Sequence, residues 1–245
     1  MMRVLVAMLA VGFAAEAQAV APAHSYDLNG SLADANGGPA LALVGGAVLD
    51  GSGVTFTPGA GLSLTSAAFA DTAAYSIELS FRFDSWVVGS SGNADLDYSR
   101  ILNADGSDNG LYVHDAGGST ARINYYNSGP HENTAVLSLG EMAQIIFTRD
   151  GNGQSVYLNG VSVLDTQAYA SSIVTNPLLF FIDERTENGA GFVDYIRTYD
   201  VRLGDQDVAA LAAVPEPASW AMMVGGFGLA GAVVRRRGRT VATFS

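Results

Sequence analysis

The chain is 245 residues long, contains neither cysteine nor lysine, and carries a formal net charge of −12. Without cysteine there is no thiol catalysis, no cysteine-ligated zinc or iron–sulfur cluster and no disulfide staple, so the fold must rest on its core alone. Between residues 20 and 213 seven arginines stand against 22 acidic residues, a formal charge of −15; such a surface repels nucleic acid and anionic lipid, leaving neutral glycans, divalent cations or plain extracellular solubility.

Met1-Met2-Arg3, an apolar run from Val4 to Ala15 and the small-x-small sequence Ala17-Gln18-Ala19 have the order of a signal peptide. A signal helix over residues 1–19 is expected, cut after Ala19; cleavage after Ala21 is the alternative, disfavoured because Pro22 would follow the cut. From Ser25 to Gly61 short apolar groups alternate with glycine-rich turns, and Tyr26-Asp27-Leu28-Asn29-Gly30 reads as a first edge strand. Tyr75, Ile77, Leu79, Phe81 and Phe83 then alternate strictly with Ser76, Glu78, Ser80 and Arg82. That period of two predicts a strand with one buried and one wet face.

Ser99 to Asn103 reads as a short strand, and Leu111–His114 with Ala121–Tyr126 as a hairpin around Asp115-Ala116-Gly117-Gly118-Ser119. Ala143–Arg149, Ser155–Leu158 and Val161–Leu164 form three consecutive antiparallel strands, because Asn159-Gly160 is the preferred two-residue turn where both positions need positive φ. Leu178–Ile182 is apolar on both faces, as in a central strand, and Gly191–Tyr199 is the last strand. Leu203 to Leu211 is the one helix expected outside the two terminal segments.

The chain closes with Val214-Pro215-Glu216-Pro217, an uncharged run over 218–234, and Arg235-Arg236-Arg237-Gly238-Arg239. A turn element, a 17-residue transmembrane helix and a basic stop have the order of a C-terminal membrane anchor. With Ala218-Ser219-Trp220-Ala221-Met222-Met223 and the glycines 225, 226, 228 and 231 behind Val-Pro-Glu-Pro, residues 214–239 resemble the PEP-CTERM sorting signal of Gram-negative bacteria. The resemblance implies processing by an exosortase, a membrane-embedded thiol transpeptidase-like protease. It also implies inner-membrane anchoring through the helix before processing, then delivery of the upstream domain to the cell surface or exopolysaccharide matrix. An ordinary anchor that is never removed is the alternative.

Many short strands, turn signals every 8 to 12 residues and one terminal helix predict an all-β protein, an antiparallel β-sandwich. The Val-Tyr-Leu-Asn-Gly hairpin (156–160) and the closing Asp-Tyr-Ile-Arg strand (194–197) resemble those of a LamG-like, concanavalin A-like jelly roll covering residues 24–212. That family binds glycans or proteins more often than it catalyses.

Asp105-Gly106-Ser107-Asp108-Asn109-Gly110 has the alternate oxygen ligands of an EF-hand loop, but its twelfth position is Ala116 where a bidentate glutamate is needed, so an Asx-type turn explains it better. The jelly-roll resemblance leaves a structural calcium at the sandwich rim as a candidate, with Asp95, Asp97, Asp105, Asp108 and Asp183 in connecting segments. Solvated acidic loops are the alternative. Asp194 shares a period-two face with Phe192 and Ile196 and therefore needs hydrogen-bond donors. For glycoside hydrolysis the nearest carboxylate string is Asp183-Glu184-Arg185-Thr186-Glu187, whose second station is wrong; His24, His114 and His131 have no triad pattern beside them. Trp86, Tyr125, Tyr126 and Tyr169 are candidate sugar-stacking rings, with core packing as the competing role.

The expectation is an exported, non-enzymatic domain, sorted by an exosortase, that acts as a structural or glycan-binding component with extracellular polysaccharide as partner and no nucleic acid. A secreted glycoside hydrolase on the same fold is the alternative. Mass spectrometry of the surface-released product should give a C-terminus at or before Val234; one beyond it overturns the sorting expectation.

Overall fold

The computed structural model describes residues 19–87, 98–104, 109–126, 130–151, 153–167, 172–174, 176–183 and 187–213. The signal segment 1–18, the span 218–234 and the sorting residues Val214, Pro215, Glu216, Pro217, Arg235, Arg236 and Arg237 lie outside them. Among the described residues no helix is long and apolar enough to cross a membrane.

The strands are β1 His24–Tyr26, β2 Ala42–Val44, β3 Val48–Leu49, β4 Val54–Phe56, β5 Gly61–Leu64, β6 Tyr75–Ser85, β7 Tyr98–Ala104 and β8 Gly110–Gly117. They continue with β9 Thr120–Tyr126, β10 Pro130–Ser138, β11 Ala143–Asp150, β12 Gly153–Leu158, β13 Val161–Gln167, β14 Leu178–Phe180 and β15 Ala190–Tyr199; helix α1, Asp205–Ala213, follows. They form an antiparallel sandwich. One sheet has eight strands in the order β13-β12-β11-β6-β15-β4-β3, with β1 also on β15; the other has seven, β10-β9-β8-β7-β14-β5-β2. The Asn159-Gly160 turn is as expected, with φ of 50° and 81°. Strand β10, an edge strand opening on Pro130, is too polar and irregular to show in the sequence pattern.

Tyr75, Ile77, Leu79, Phe81 and Phe83 of β6 point inward and are buried. They meet Phe56 and Phe181, whose rings stack at 4.6 Å, and Phe83 sits edge-on to Trp86 at 6.3 Å. Phe181 has a φ of 62°, rare for a bulky side chain. That conformation lets Phe180 and Phe181 both enter the core and ends the strand expected to run to Ile182.

The other face of β6 is not wet along its length. Ser76 and Glu78 are buried because the chain after β15 folds back across them: Ser76 Oγ donates to Val201 O at 2.8 Å and accepts Leu203 N at 2.9 Å. Ile146, Tyr157, Tyr199, Leu203 and Val208 make a second apolar cluster there, with Leu211 of α1 and Val20 against it. Tyr157 Oη donates to Asp205 Oδ1 at 2.7 Å, which ties the first turn of α1 to the sheet. Burial, then the Asp205 carboxylate, pushes the Tyr157 hydroxyl up to about 12. Asp207 reaches back to the N–H of Gly204 at 2.9 Å, half of a capping box, and both acids suit the positive end of the helix.

Asp194 shares the outer face with Phe192 but not with Ile196, which points into the core. Val193 pairs with Phe81 and Tyr195 with Ser80, so Asp194 is the extra residue of a β-bulge. Val193 and Ile196 point inward on either side of it, and the half-buried carboxylate accepts from Ser80 Oγ at 3.4 Å.

The first strand is held by one carboxylate. Asp34 lies 2.7 Å from His24 Nδ1 and accepts the backbone N–H groups of Ser25 (2.8 Å), Asn36 (3.0 Å) and Gly38 (2.6 Å). Burial alone would raise its pKa; the His24 ring and these three donors more than offset that and bring it to about 2. Asp34→Ala should cost on the order of 2 kcal/mol, because it removes the one acceptor of four hydrogen bonds, read as a lower urea midpoint at unchanged slope. Since the folded pKa lies below the ordinary aspartate value of 3.8, this stabilisation is complete above 3.8 and is lost as pH falls through about 2. In an acid titration the variant should therefore converge on the parent protein.

Candidate functional site

Each sheet carries a buried polar cluster on its outer face, and the two differ in how completely their groups are paired. On the eight-stranded sheet, Glu78 Oε1 accepts Gln144 Nε2 and Tyr195 Oη, each at 2.8 Å, while Tyr199 Oη donates to Oε2. Arg197 Nη1 stands 3.5 Å from the same carboxylate with its guanidinium over the Tyr195 ring. Burial, followed by the Glu78 charge, raises both tyrosine pKa values above the ordinary range. A carboxylate met by four donors is a structural device: it fixes β15 against β6 and β11.

On the seven-stranded sheet the register sets Arg100, Tyr112, Asn124 and Glu132 in one row across β7, β8, β9 and β10. Arg100 is fully buried, with its guanidinium 3.9 Å over the Tyr112 ring. Its Nη2 lies 3.4 Å from Asp183 Oδ2 and 3.6 Å from Glu187 Oε2, and its Nη1 donates to Asn109 O at 3.4 Å. The turn at Phe181 sends Asp183 to this place, where the Asp183 N–H donates to Asn188 Oδ1 at 2.7 Å. Gly110 is required beneath the guanidinium, since a Cβ there would stand 2.1 Å from Leu102 O and 2.9 Å from Arg100 Nη1.

Beside this ion cluster lie two buried amides. Asn103 donates to Ile182 O at 3.3 Å, but its Oδ1 has no partner among the described residues. Asn124 is 1% exposed, and neither its Oδ1 nor its Nδ2 has one. In the neighbouring row Gly110 separates Asn103 from half-buried Tyr126 and places no side chain between them. In the row on the other side, Tyr98 stacks on His114 at 4.5 Å. The two amides are sealed from solvent, and what this face exposes beside them is the half-buried rings of Tyr98, His114 and Tyr126.

Of the candidate metal ligands, Asp95, Asp97, Asp105 and Asp108 lie outside the described residues. Asp183 is engaged by Arg100, a cation at it would displace that guanidinium, and no group of three metal-binding side chains converges among the described residues. The string from Asp183 to Glu187 brings its two end carboxylates onto one guanidinium. His24 faces Asp34 and His114 faces Tyr98; His131 stands opposite Tyr125 in the register. Trp86 and Tyr125 are core residues, Trp86 donating to Asp115 Oδ1 at 3.2 Å, and Tyr169 lies outside the described residues.

Residues 213–237 match the PEP-CTERM protein-sorting motif, so the chain carries that motif directly behind α1. No curated protein matches the chain in sequence. Among solved structures the sandwich is similar to domain 4 of an extracellular arabinanase from Geobacillus stearothermophilus in complex with arabinotriose. The two are 14% identical with a TM-score of 0.58, over 80% of this chain and 100% of that one. It is also similar to the Trypanosoma rangeli sialidase in complex with sialic acid (17% identity, TM-score 0.58, 77% of this chain and 32% of that one). A third likeness is to the receptor-binding domain of botulinum neurotoxin C/D mosaic serotype (11%, 0.55, 78% and 50%). At these identities the likeness is one of fold, and this chain spans about a third of the sialidase and half of the neurotoxin domain.

Sequence reasoning did not bring together Arg100, Asn103, Tyr112, Asn124 and Glu187. The available signal was the polar and aromatic outward stations of three successive strands, 98 and 100, 112 and 114, 122, 124 and 126. The two clusters should answer mutation oppositely. Glu78→Ala should cost about 3 kcal/mol, since it removes a buried carboxylate and leaves buried Tyr199 and three half-buried donors without it, whereas Asn124→Leu should raise Tm by about 2–4 °C by removing an unpaired buried amide. Calorimetry of the two variants checks both.

Proposed function

We propose that this is an exported protein, sorted by an exosortase through residues 213–237 to the cell surface or exopolysaccharide matrix, whose sandwich contacts glycan through the outer face of the seven-stranded sheet. The finer description as a LamG-like jelly roll belongs to the same proposal. The observation that carries the glycan reading is the row of partly exposed rings, Tyr98, His114 and Tyr126, on a face held rigid by Arg100, Asp183 and Glu187. The arabinotriose complex of the arabinanase domain supports the class of ligand. The acidic surface favours a neutral polysaccharide over an anionic one.

The role is binding. Asp183 and Glu187 are both engaged by Arg100 and are not free to divide the work of a general acid and a nucleophile. A glycan array probed with residues 20–213, a segment holding both core clusters, should show a neutral glycan whose affinity falls about tenfold or more in Tyr126→Ala, the equivalent of ~1.4 kcal/mol. Release of reducing ends, lost on substitution of Asp183 or Glu187, would instead establish the hydrolase. Binding that disappears in chelator would return calcium to the account, through ligands among Asp95, Asp97, Asp105 and Asp108.

A further inference from the structure

Both ends of the folded domain gather on one face. Val20, the residue exposed by cleavage after Ala19, packs against the cluster of Ile146, Tyr157, Tyr199, Leu203 and Val208, and Leu211 of α1 packs on the same cluster. Residues 22 and 23 are fixed beside it, Ala23 N donating to Thr198 O at 2.8 Å and Asn36 Nδ2 to Pro22 O at 3.0 Å. At the far end of α1 Ala212 lies over the Asn159-Gly160 turn, its Cβ 3.0 Å from the place a Gly160 Cβ would take. The glycan-contacting face is on the other sheet, on the opposite side of the core.

We infer that the precursor turns the outer face of its eight-stranded sheet, with α1 and Val20, toward the bilayer and presents the Arg100 and Asn124 face away from it. This rests on the reading of 218–234 as a membrane span. The argument is one of reach. Only residues 214–217 separate α1 from the span, and the five Cα steps from Ala213 to Ala218 extend at most about 18 Å. A helix layer and a second sheet, each packed about 10 Å away, put the seven-stranded sheet roughly 20 Å beyond α1 before its side chains are counted. The tether is too short for the domain to roll over and lay that face on the membrane. The signal segment, four residues before Val20 where its apolar run ends at Ala15, holds the same face down from the other end until it is cut. Asp205 and Asp207 at the start of α1 carry negative charge on this face, so the tether and not adsorption sets the orientation.

The absence of cysteine makes the test direct. The chain from Val20 to Ser245 is reconstituted into vesicles containing nitroxide-headgroup lipid, with a fluorophore on Gln206→Cys in α1 or on Arg122→Cys, whose exposed position lies on the outer face of the seven-stranded sheet. Several-fold stronger quenching at 206 than at 122 is expected. Equal or reversed quenching in vesicle-bound protein overturns the orientation while leaving the span intact. Protein that does not float with the vesicles overturns the span itself, and the orientation with it.

Discussion

The structure depends on where β15 is placed. It pairs with β6 over nine positions on one edge, and on the other edge β1 takes its second half and β4 its first. The last strand of the chain thereby holds its first strand and its middle, and the eight-stranded sheet has no continuous centre without it. The side chains confirm this division. Inward, Val193 and Ile196 close the aromatic core around Phe56, Phe81 and Phe181; outward, Tyr195, Arg197 and Tyr199 gather on Glu78. The bulge at Asp194 lets one strand serve both ends of a twisted sheet.

The two outer faces differ in how their buried polar groups are paired. Glu78 takes three donors on Oε1 and one on Oε2. Arg100, stacked on Tyr112 and held by two carboxylates, immobilises the row in which buried Asn124 stands unmatched among the described residues. One cluster locks strands together; the other leaves hydrogen-bonding capacity sealed inside a rigid frame.

Much of the fold was legible in the sequence because its signals are local. Asn159-Gly160 names its own turn, the alternation of 75–83 names a strand, and the terminal helix follows from a short amphipathic stretch. The failures came from facts that no local pattern carries. Ser76 and Glu78 read as wet because the segment that covers them lies more than a hundred residues away. Asp194 was grouped correctly with Phe192 but wrongly with Ile196, because one inserted residue changes the parity of a strand, and parity is all that a period-two reading uses. The candidate site was illegible for a related reason. Arg100, Tyr112 and Asn124 belong to three strands, and only the register, set partly by a bulge between Arg100 and Leu102, aligns them. Trp86 and Tyr125 are core residues, the competing role given for them, because aromatic residues suit a core and a sugar platform alike.

The position of β15 also governs when the molecule can acquire its shape. Its partners begin with residue 24, so contacts between segments some 170 residues apart are the ones that complete the sheet. Folds dominated by such distant pairings form slowly, because loop closure must precede any gain from contact. Until residues 190–199 have left the ribosome, the eight-stranded sheet lacks its middle and the first strand has no neighbour to hold it. The order of synthesis is thus not the order of assembly: the segment made last supplies the partner that the segment made first must wait for.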